Sequence, residues 1–208
     1  MAMTHDPEIM KTTPKRPKII LASASPRRQA LLKQIFFQPD EIAPADIDET
    51  PAPKELPRSY VQRVAIEKAE VVANRFQGSI ILAADTAVAC GRRILPKAED
   101  ANTARECLAL ISGRSHRVYS GVALIDARGT IKKKIVETRV KVRHLHEDAI
   151  TEYLASGEWN GKAGGYAIQG LFAAHIISII GSYTNVVGLP LYETENLLIS
   201  SGAKKVMS

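Results

Sequence analysis

Short, almost wholly apolar segments alternate with segments that begin like helices, and this alternation constrains the fold more than any other feature of the sequence. Residues 19–22 form an apolar run that predicts a buried strand. Ser25 and Pro26 follow, which predicts a helix start with a hydroxyl N-cap and proline in the first turn. Residues 79–84 form a second apolar run and predict another buried strand. The alternation predicts an α/β fold.

The rest of the pattern adds hairpins to the alternating strands and helices. We expect helices at residues 26–36, 58–76, 101–111, 148–156 and 192–200. We expect further strands at residues 93–95, 117–126, 130–145 and 171–180. Turns at Gly91 and Gly129 would join neighbouring strands into hairpins, which require antiparallel pairing. A mixed β-sheet with flanking helices is therefore expected, rather than a purely parallel one.

The composition narrows the range of partners. The formal net charge of +6 favours an anionic partner, either nucleic acid or a small phosphorylated molecule. Aromatic residues make up only 5% and are not interleaved with basic ones, so we expect no nucleic-acid partner. No apolar run has the length of a membrane-spanning helix, and neither Cys90 nor Cys107 lies in a paired motif. These features indicate a cytoplasmic protein with no membrane association.

The first 18 residues differ in character from the remainder. They are polar, contain prolines and have no apolar segment, so we expect residues 1–18 to form a disordered extension. The length of residues 19–208 suits a single domain.

The turn after the first strand carries the first sign of a binding site. The unpaired N–H groups and the dipole of a helix start attract phosphate, and Arg27 and Arg28 lie in that first turn. Cations there oppose the helix dipole unless an anion binds between them, and arginine suits phosphate oxygens. The alternative is an ordinary helix cap followed by two solvated arginines.

Two further charged residues stand where apolar ones are expected. Lys68 falls within the apolar stripe of the second helix, so it either extends outward to solvent or points into a cleft. Asp85 follows an uncharged run at the expected end of a strand, where open α/β sheets bind ligands. It could hold Mg²⁺ or accept a proton from water, or simply begin a turn.

Other charged and glycine-rich segments are less informative alone. Glu49 lies in an acidic loop, Lys97 follows a short strand, and residues 161–170 are dense in glycine, which permits close approach to a ligand or a plain turn. His144 and His146 alternate along a strand, and without a third ligand in view surface histidines are favoured over a metal site.

Taken together, six motifs in fixed order resemble the Maf family of nucleotide pyrophosphatases, from residue 19 to the last helix. They are Leu-Ala-Ser-Ala-Ser-Pro-Arg-Arg at 21–28, Glu-Lys-Ala at 67–69, Ala-Asp-Thr at 84–86, Ser-Gly-Arg-Ser-His at 112–116, Lys-Ala-Gly-Gly-Tyr at 162–166 with Gln-Gly at 169–170, and Val-Gly-Leu-Pro at 187–190. One departure is Ala98, where the family usually has proline.

The resemblance implies an elongated fold of two lobes around a central cleft, related to the inosine-triphosphate pyrophosphatases. It implies a homodimer that uses Mg²⁺ or Mn²⁺ to cleave dTTP, UTP and related or modified pyrimidine nucleotides to the monophosphate and pyrophosphate. It also implies roles in cleansing nucleotide pools and in arresting cell division. The alternative is a regulator of division that binds nucleotides without hydrolysing them.

The same resemblance assigns roles to individual residues by motif. Asp85 corresponds to the catalytic proton acceptor and, with Glu49, to the metal ligands. Residues at the phosphate-binding positions are Ser23, Arg28, Lys68 and Lys97, and those at the specificity positions, matching the branch that acts on dTTP and UTP, are Arg27, Thr86 and Gln169.

Overall fold

The computed structural model of the chain describes residues 16–206. The predicted disorder of residues 1–18 therefore falls almost entirely outside the described residues. The elements in chain order are β1 (Ile19–Leu21), α1 (Pro26–Gln34), β2 (Glu41–Ile42), α2 (Pro57–Ala73), β3 (Ile80–Cys90), β4 (Arg93–Leu95), β5 (Lys97–Ala98), α3 (Ala101–Ile111), β6 (Ser115–Ile125), β7 (Ile131–Val142), α4 (Glu147–Ala155), β8 (Lys162–Ala163), a 3₁₀ helix (Leu171–His175), β9 (Ile176–Ile180), α5 (Tyr183–Val187) and α6 (Leu191–Ser200).

A seven-stranded mixed sheet forms the centre of the fold. Its order is β2-β1-β3-β6-β7-β9, and β4 pairs with β3 beside this path. β1 is parallel to both β2 and β3, whereas the pairs β3–β6, β6–β7 and β7–β9 are antiparallel. β5 and β8 form a separate two-stranded ladder. The predicted mixed α/β architecture is confirmed.

A gap in strand pairing lies in the middle of β3. β1 pairs with β3 only as far as Leu82, and β4 pairs with β3 only from Val88 onward. Residues 83–87 thus have β6 on one side and no strand on the other. Asp85 lies within this gap, so the expectation that it ends a strand is wrong. The neighbouring strand β1 ends instead, and a crevice opens beside a continuing β3.

Helix α2 packs its apolar stripe against this sheet. Val61, Val64 and Val72 are completely buried, and burying such a side chain contributes roughly 1.5–3 kcal/mol. A Cβ on Gly121 of β6 would lie 2.1 Å from the carbonyl oxygen of Val61. Only glycine therefore allows α2 to approach the sheet this closely, and this approach fixes the position of Lys68 on the same face of the helix.

The segment after the glycine-rich loop differs from its predicted form. Residues 171–180 were expected to form one strand, but the first half is the 3₁₀ helix and only Ile176–Ile180 pairs as β9. The carboxylate of Glu158 accepts hydrogen bonds from the Leu171 N–H, the shorter at 2.8 Å, and so stabilises the start of the helical turn. No helix within residues 16–206 has both the length and the apolar character needed to cross a bilayer.

Candidate active site

A cavity of about 410 Å³ opens beside the gap in β3. The β1–α1 turn, α2, β3, β5 and the segments at residues 161–169 and 186–188 all contribute to its walls. A volume of this size suits a nucleotide-sized ligand. The structure brings all nine site residues named from the sequence to this one cavity: Ser23, Arg27, Arg28, Glu49, Lys68, Asp85, Thr86, Lys97 and Gln169.

Two lysines and two carboxylates form a connected cluster at the cavity floor. Lys68 Nζ lies 2.8 Å from Glu49 Oε1 and 2.9 Å from Asp85 Oδ1. Lys97 Nζ lies 2.7 Å from Glu49 Oε2. Lys68 is only 7% exposed, and its ammonium group contacts carboxylates that line the cavity. It therefore points into a cleft and does not extend outward to solvent.

The lysines keep Glu49 ionised. Burial by itself raises the pKa of Glu49, but hydrogen bonds and charges from Lys68 and Lys97 outweigh burial and lower the pKa to about 2. The side chain is therefore a carboxylate at neutral pH, available to a cation or to the two lysines.

One buried oxygen in the cluster has no partner. Asp85 is 3% exposed, and its Oδ2 atom makes no hydrogen bond within the described structure. Such an atom needs an explanation, because an unpaired buried acceptor is costly. A bound cation or a water molecule would satisfy it.

The donor set suits a hard divalent cation shared with a ligand. Among residues 16–206, no group of three or more His, Cys, Asp or Glu side chains could hold a metal unaided. Mg²⁺ typically uses one or two carboxylates and completes its coordination with water and substrate phosphates. Asp85 and Glu49 fit that pattern, with the unpaired Oδ2 of Asp85 as the open ligand atom.

Arg28 connects three segments of the cavity wall. Its guanidinium donates to Gly188 O at 2.9 Å, Ser23 Oγ at 3.0 Å and Thr86 Oγ1 at 3.3 Å. Burial lowers the pKa of Arg28, and the charge of Asp85 acts in the opposite direction. Arg27 donates to Val187 O at 3.3 Å, and burial lowers its pKa as well. Both arginines line the cavity and donate hydrogen bonds to backbone carbonyls. The alternative of an ordinary cap followed by two solvated arginines is therefore wrong.

The start of α1 is where it was predicted, but its cap is different. Ser25 is the N-cap residue, yet its hydroxyl makes no capping hydrogen bond. The prediction of a hydroxyl cap is wrong in that respect. The Ser25 N–H instead donates to Ser23 Oγ at 3.3 Å. No side chain caps the start of α1, and residues 25–28 line the cavity. An uncapped helix start beside a cavity favours an anion.

The glycine-rich loop forms the opposite wall. Gly164 has a positive φ of 66°, and a Cβ there would lie 2.8 Å from the Val88 side chain. Gly164 and Gly165 both have this conformation, so the loop turns tightly, with Gly164 against Val88 of β3 and Gly165 against Ala104 of α3. Gln169, further along the same segment, lines the cavity.

Three residues in or next to the cavity wall belong to the motifs, but the sequence assigns them no role: Lys162, Tyr166 and His116. Lys162 lines the cavity, where burial and then the charge of Arg27 lower its pKa. Tyr166 also lines it and shares a 2.7 Å hydrogen bond with His116 Nε2. Burial lowers the pKa of His116 to about 4, so this side chain is neutral at physiological pH. In the sequence, the only sign that His116 and Tyr166 are neighbours is the joint presence of their two motifs, which lie 50 residues apart.

Fold and site together define a mixed α/β protein with a cation-lined cleft, suited to a polyanion, beside one buried and one half-buried carboxylate. The family model described as "Maf-like protein" matches residues 18–201, and the chain belongs to this family. A dTTP/UTP pyrophosphatase of Rhodopseudomonas palustris is 53% identical over 193 residues, covering 90% of this chain and 93% of that protein. A dTTP/UTP pyrophosphatase of Mesorhizobium japonicum is 54% identical with the same coverage. The solved Staphylococcus aureus Ham1 protein is 16% identical and matches 60% of this chain and 71% of its own, with a TM-score of 0.44.

Proposed function

We propose that the chain is a nucleoside triphosphate pyrophosphatase that hydrolyses dTTP and UTP to the monophosphate and pyrophosphate. The observation that carries the proposal is the placement of Asp85, a buried carboxylate with one unpaired oxygen, in a cleft lined by cations. The relatives named dTTP/UTP pyrophosphatase, at 53% and 54% identity over most of the chain, support the choice of substrate. Their names favour hydrolysis over a purely regulatory nucleotide-binding role.

The charges of the cavity suit a triphosphate. Five cationic side chains line it against two carboxylates, Glu49 and Asp85, so the net charge of the lining is positive. Arg28, Lys68 and Lys97 would bind phosphate oxygens and stabilise the charge that develops on the leaving pyrophosphate. Ser23 and the first N–H groups of α1 would add neutral donors to the same phosphates.

Glu49 and Asp85 are the residues that would hold Mg²⁺ or Mn²⁺ together with the phosphates. When bound, the ion neutralises phosphate charge and makes a water molecule more acidic. Asp85 has an oxygen for each of its two roles, since Oδ2 is unpaired and Oδ1 becomes available once the phosphates draw Lys68 away. One oxygen would accept the proton of the water that attacks the α-phosphorus, and the other would face the cation. In the unliganded site, Lys68 fixes the orientation of this carboxylate.

The base would lie between the glycine-rich loop and the C-terminal end of α5. Arg27, Thr86 and Gln169 supply polar groups there, and Ile168 and Val186 supply apolar wall. Thr86 Oγ1 lies 2.8 Å from Ser120 Oγ, which fixes the hydroxyl in place. Such a small set of polar groups can read the edge of a pyrimidine.

Replacing Asp85 by asparagine tests the role of the carboxylate. We expect Asp85→Asn to lower kcat for dTTP by roughly 10²–10⁴-fold, the range over which a general base contributes. Pyrophosphate release measures the rate, and circular dichroism with thermal unfolding checks that the fold is intact. Turnover of the folded variant at the wild-type rate would contradict the assignment.

A panel of nucleoside triphosphates tests the substrate class. With Mg²⁺ present, we expect dTTP and UTP to have the highest kcat/KM, measured from monophosphate formation by chromatography. Equal kcat/KM values for purine and pyrimidine triphosphates would contradict the pyrimidine preference. Binding of dTTP without any hydrolysis would favour the regulatory alternative.

We also infer the setting in which the chain acts. It would act in the cytoplasm as a homodimer, without nucleic acid or membrane as a partner. The resemblance of its motifs supports the dimer, and the sparse aromatic residues support the lack of a nucleic-acid partner. Light scattering coupled to size-exclusion chromatography measures the oligomeric state directly.

A further inference from the structure

Lysine ammonium groups pair with three of the four oxygens of the Glu49 and Asp85 carboxylates. Lys68 binds one oxygen of Glu49 and one of Asp85, at 2.8 and 2.9 Å. Lys97 binds the other Glu49 oxygen at 2.7 Å. Asp85 Oδ2 alone among the four carboxylate oxygens is without a partner. A cation that entered this site by itself would have to displace two ammonium groups.

Lys68 has little freedom to withdraw toward solvent. It is 7% exposed and lies in the buried stripe of α2 between the completely buried Val64 and Val72. An ammonium group so placed needs a partner within the cavity, because an unpaired buried charge is strongly destabilising. Its contact with the carboxylates is therefore retained until another anion enters.

The wider cavity also disfavours a lone cation. Arg27, Arg28 and Lys162 line the same space and repel a divalent ion that carries no anion with it. A triphosphate reverses both effects, since its oxygens neutralise the arginines and offer new acceptors to Lys68 and Lys97. Each lysine then exchanges a carboxylate oxygen for a phosphate oxygen, and the carboxylates become free.

We infer that Lys68 and Lys97 keep the metal site of Glu49 and Asp85 closed until a nucleotide binds, so that the metal binds only together with the nucleotide. This inference rests on the proposed function, from which the metal role of the two carboxylates is taken. As a consequence, nucleotide and metal do not bind independently: free metal does not bind to the protein without nucleotide.

Binding of Mn²⁺ without nucleotide tests this order directly. The signal of free Mn²⁺ in electron paramagnetic resonance gives the Kd for wild type, Lys68→Met and Lys97→Met, and for Lys134→Met, a control on an exposed lysine of β7. We expect weak binding by wild type and the control. Lys68→Met should bind Mn²⁺ at least about tenfold more tightly than wild type, because the ion no longer has to displace that ammonium group. Lys97→Met should be intermediate, since its ammonium contacts only Glu49.

Adding the non-hydrolysable α,β-methylene analogue of dTTP provides the second arm. Wild type should then bind Mn²⁺ at least about tenfold tighter than without it. The inference is overturned if neither variant binds Mn²⁺ alone more tightly than wild type, or if the analogue leaves the wild-type Kd unchanged. Absence of Mn²⁺ binding by all four proteins, even with the analogue, would instead remove the metal from the proposed function.

Thermal unfolding guards against a variant that fails to fold. Without metal, Lys68→Met leaves two carboxylates without their shared cation, so its Tm should be lower than that of wild type. Mn²⁺ should raise that Tm more than it raises the wild-type Tm. If Lys68→Met does not fold, Lys97→Met decides the question, because its side chain is 51% exposed and its loss disturbs no core packing.

Discussion

At the scale of single residues, the site depends on charges that hold one another in place. Lys68 pairs with both Glu49 and Asp85, and these two contacts compensate for the burial of its ammonium group. Arg28 has the same character, since its hydrogen bonds to Ser23 and Thr86 position it before any ligand arrives. Such preorganisation lowers the cost of reorganising the site when a charged ligand binds.

The lowered pKa of Glu49 predicts a specific dependence of stability on pH. Its folded pKa of about 2 lies below the ordinary 4.5, so the stabilisation it provides is fully present above that ordinary value. It is lost as the pH falls toward about 2. We therefore expect the free energy of unfolding of wild type to exceed that of Glu49→Gln at neutral pH, with the difference shrinking as the solution is acidified.

Urea unfolding at a series of pH values measures this difference. Glu70→Gln, a substitution at an exposed position on α2, is the control and should give a small and constant difference. A difference for Glu49→Gln that did not change between neutral and acidic pH would contradict the ion pairs with Lys68 and Lys97.

At the scale of secondary-structure elements, the position of α2 determines where Lys68 lies in the site, because the helix carries this residue. Gly121→Ala places a methyl group 2.1 Å from the Val61 carbonyl oxygen, so the helix must shift. We expect a loss of about 1–3 kcal/mol in the free energy of unfolding, the usual cost of overpacking. We also expect a lower kcat/KM for dTTP, because Lys68 shifts with the helix.

The nearby buried residue Ala123 of β6 provides a control. Ala123→Gly should cost about 0.5–1 kcal/mol through chain entropy while leaving α2 in place, so its kcat/KM should stay close to wild type. Wild-type stability and activity in Gly121→Ala would show that the close approach of helix and sheet is not required.

Sequence patterns predicted the elements whose signals are local. Helix α3 was placed at its observed bounds, Ala101–Ile111, and the helical period placed Lys68 within the buried stripe of α2. Other features depend on distant partners. β3 continues past Asp85 because β6 and β4 pair with it, and the 3₁₀ helix begins at Leu171 because Glu158, 13 residues earlier, accepts its N–H. Periodicity carries no information on such contacts.

At the scale of the whole molecule, the topology of the sheet explains why the site forms where it does. β1 ends after three residues and passes into α1, while β3 continues for five more residues with β6 on one side only, before β4 joins it on the other. The gap admits side chains from α2 and the glycine-rich loop, so residues from distant parts of the chain meet there. The order of the motifs indicated a shared site, but only the topology defines the crevice that holds it.

Hydrolysis of dTTP in water enriched in ¹⁸O tests the central claim most directly. Attack at the α-phosphorus, with Asp85 accepting the proton, places the label in the monophosphate and leaves the released pyrophosphate unlabelled. Mass spectrometry of both products after a single turnover distinguishes the positions. The account predicts one ¹⁸O atom in the monophosphate and none in pyrophosphate; label in pyrophosphate, or release of inorganic phosphate in its place, would contradict it.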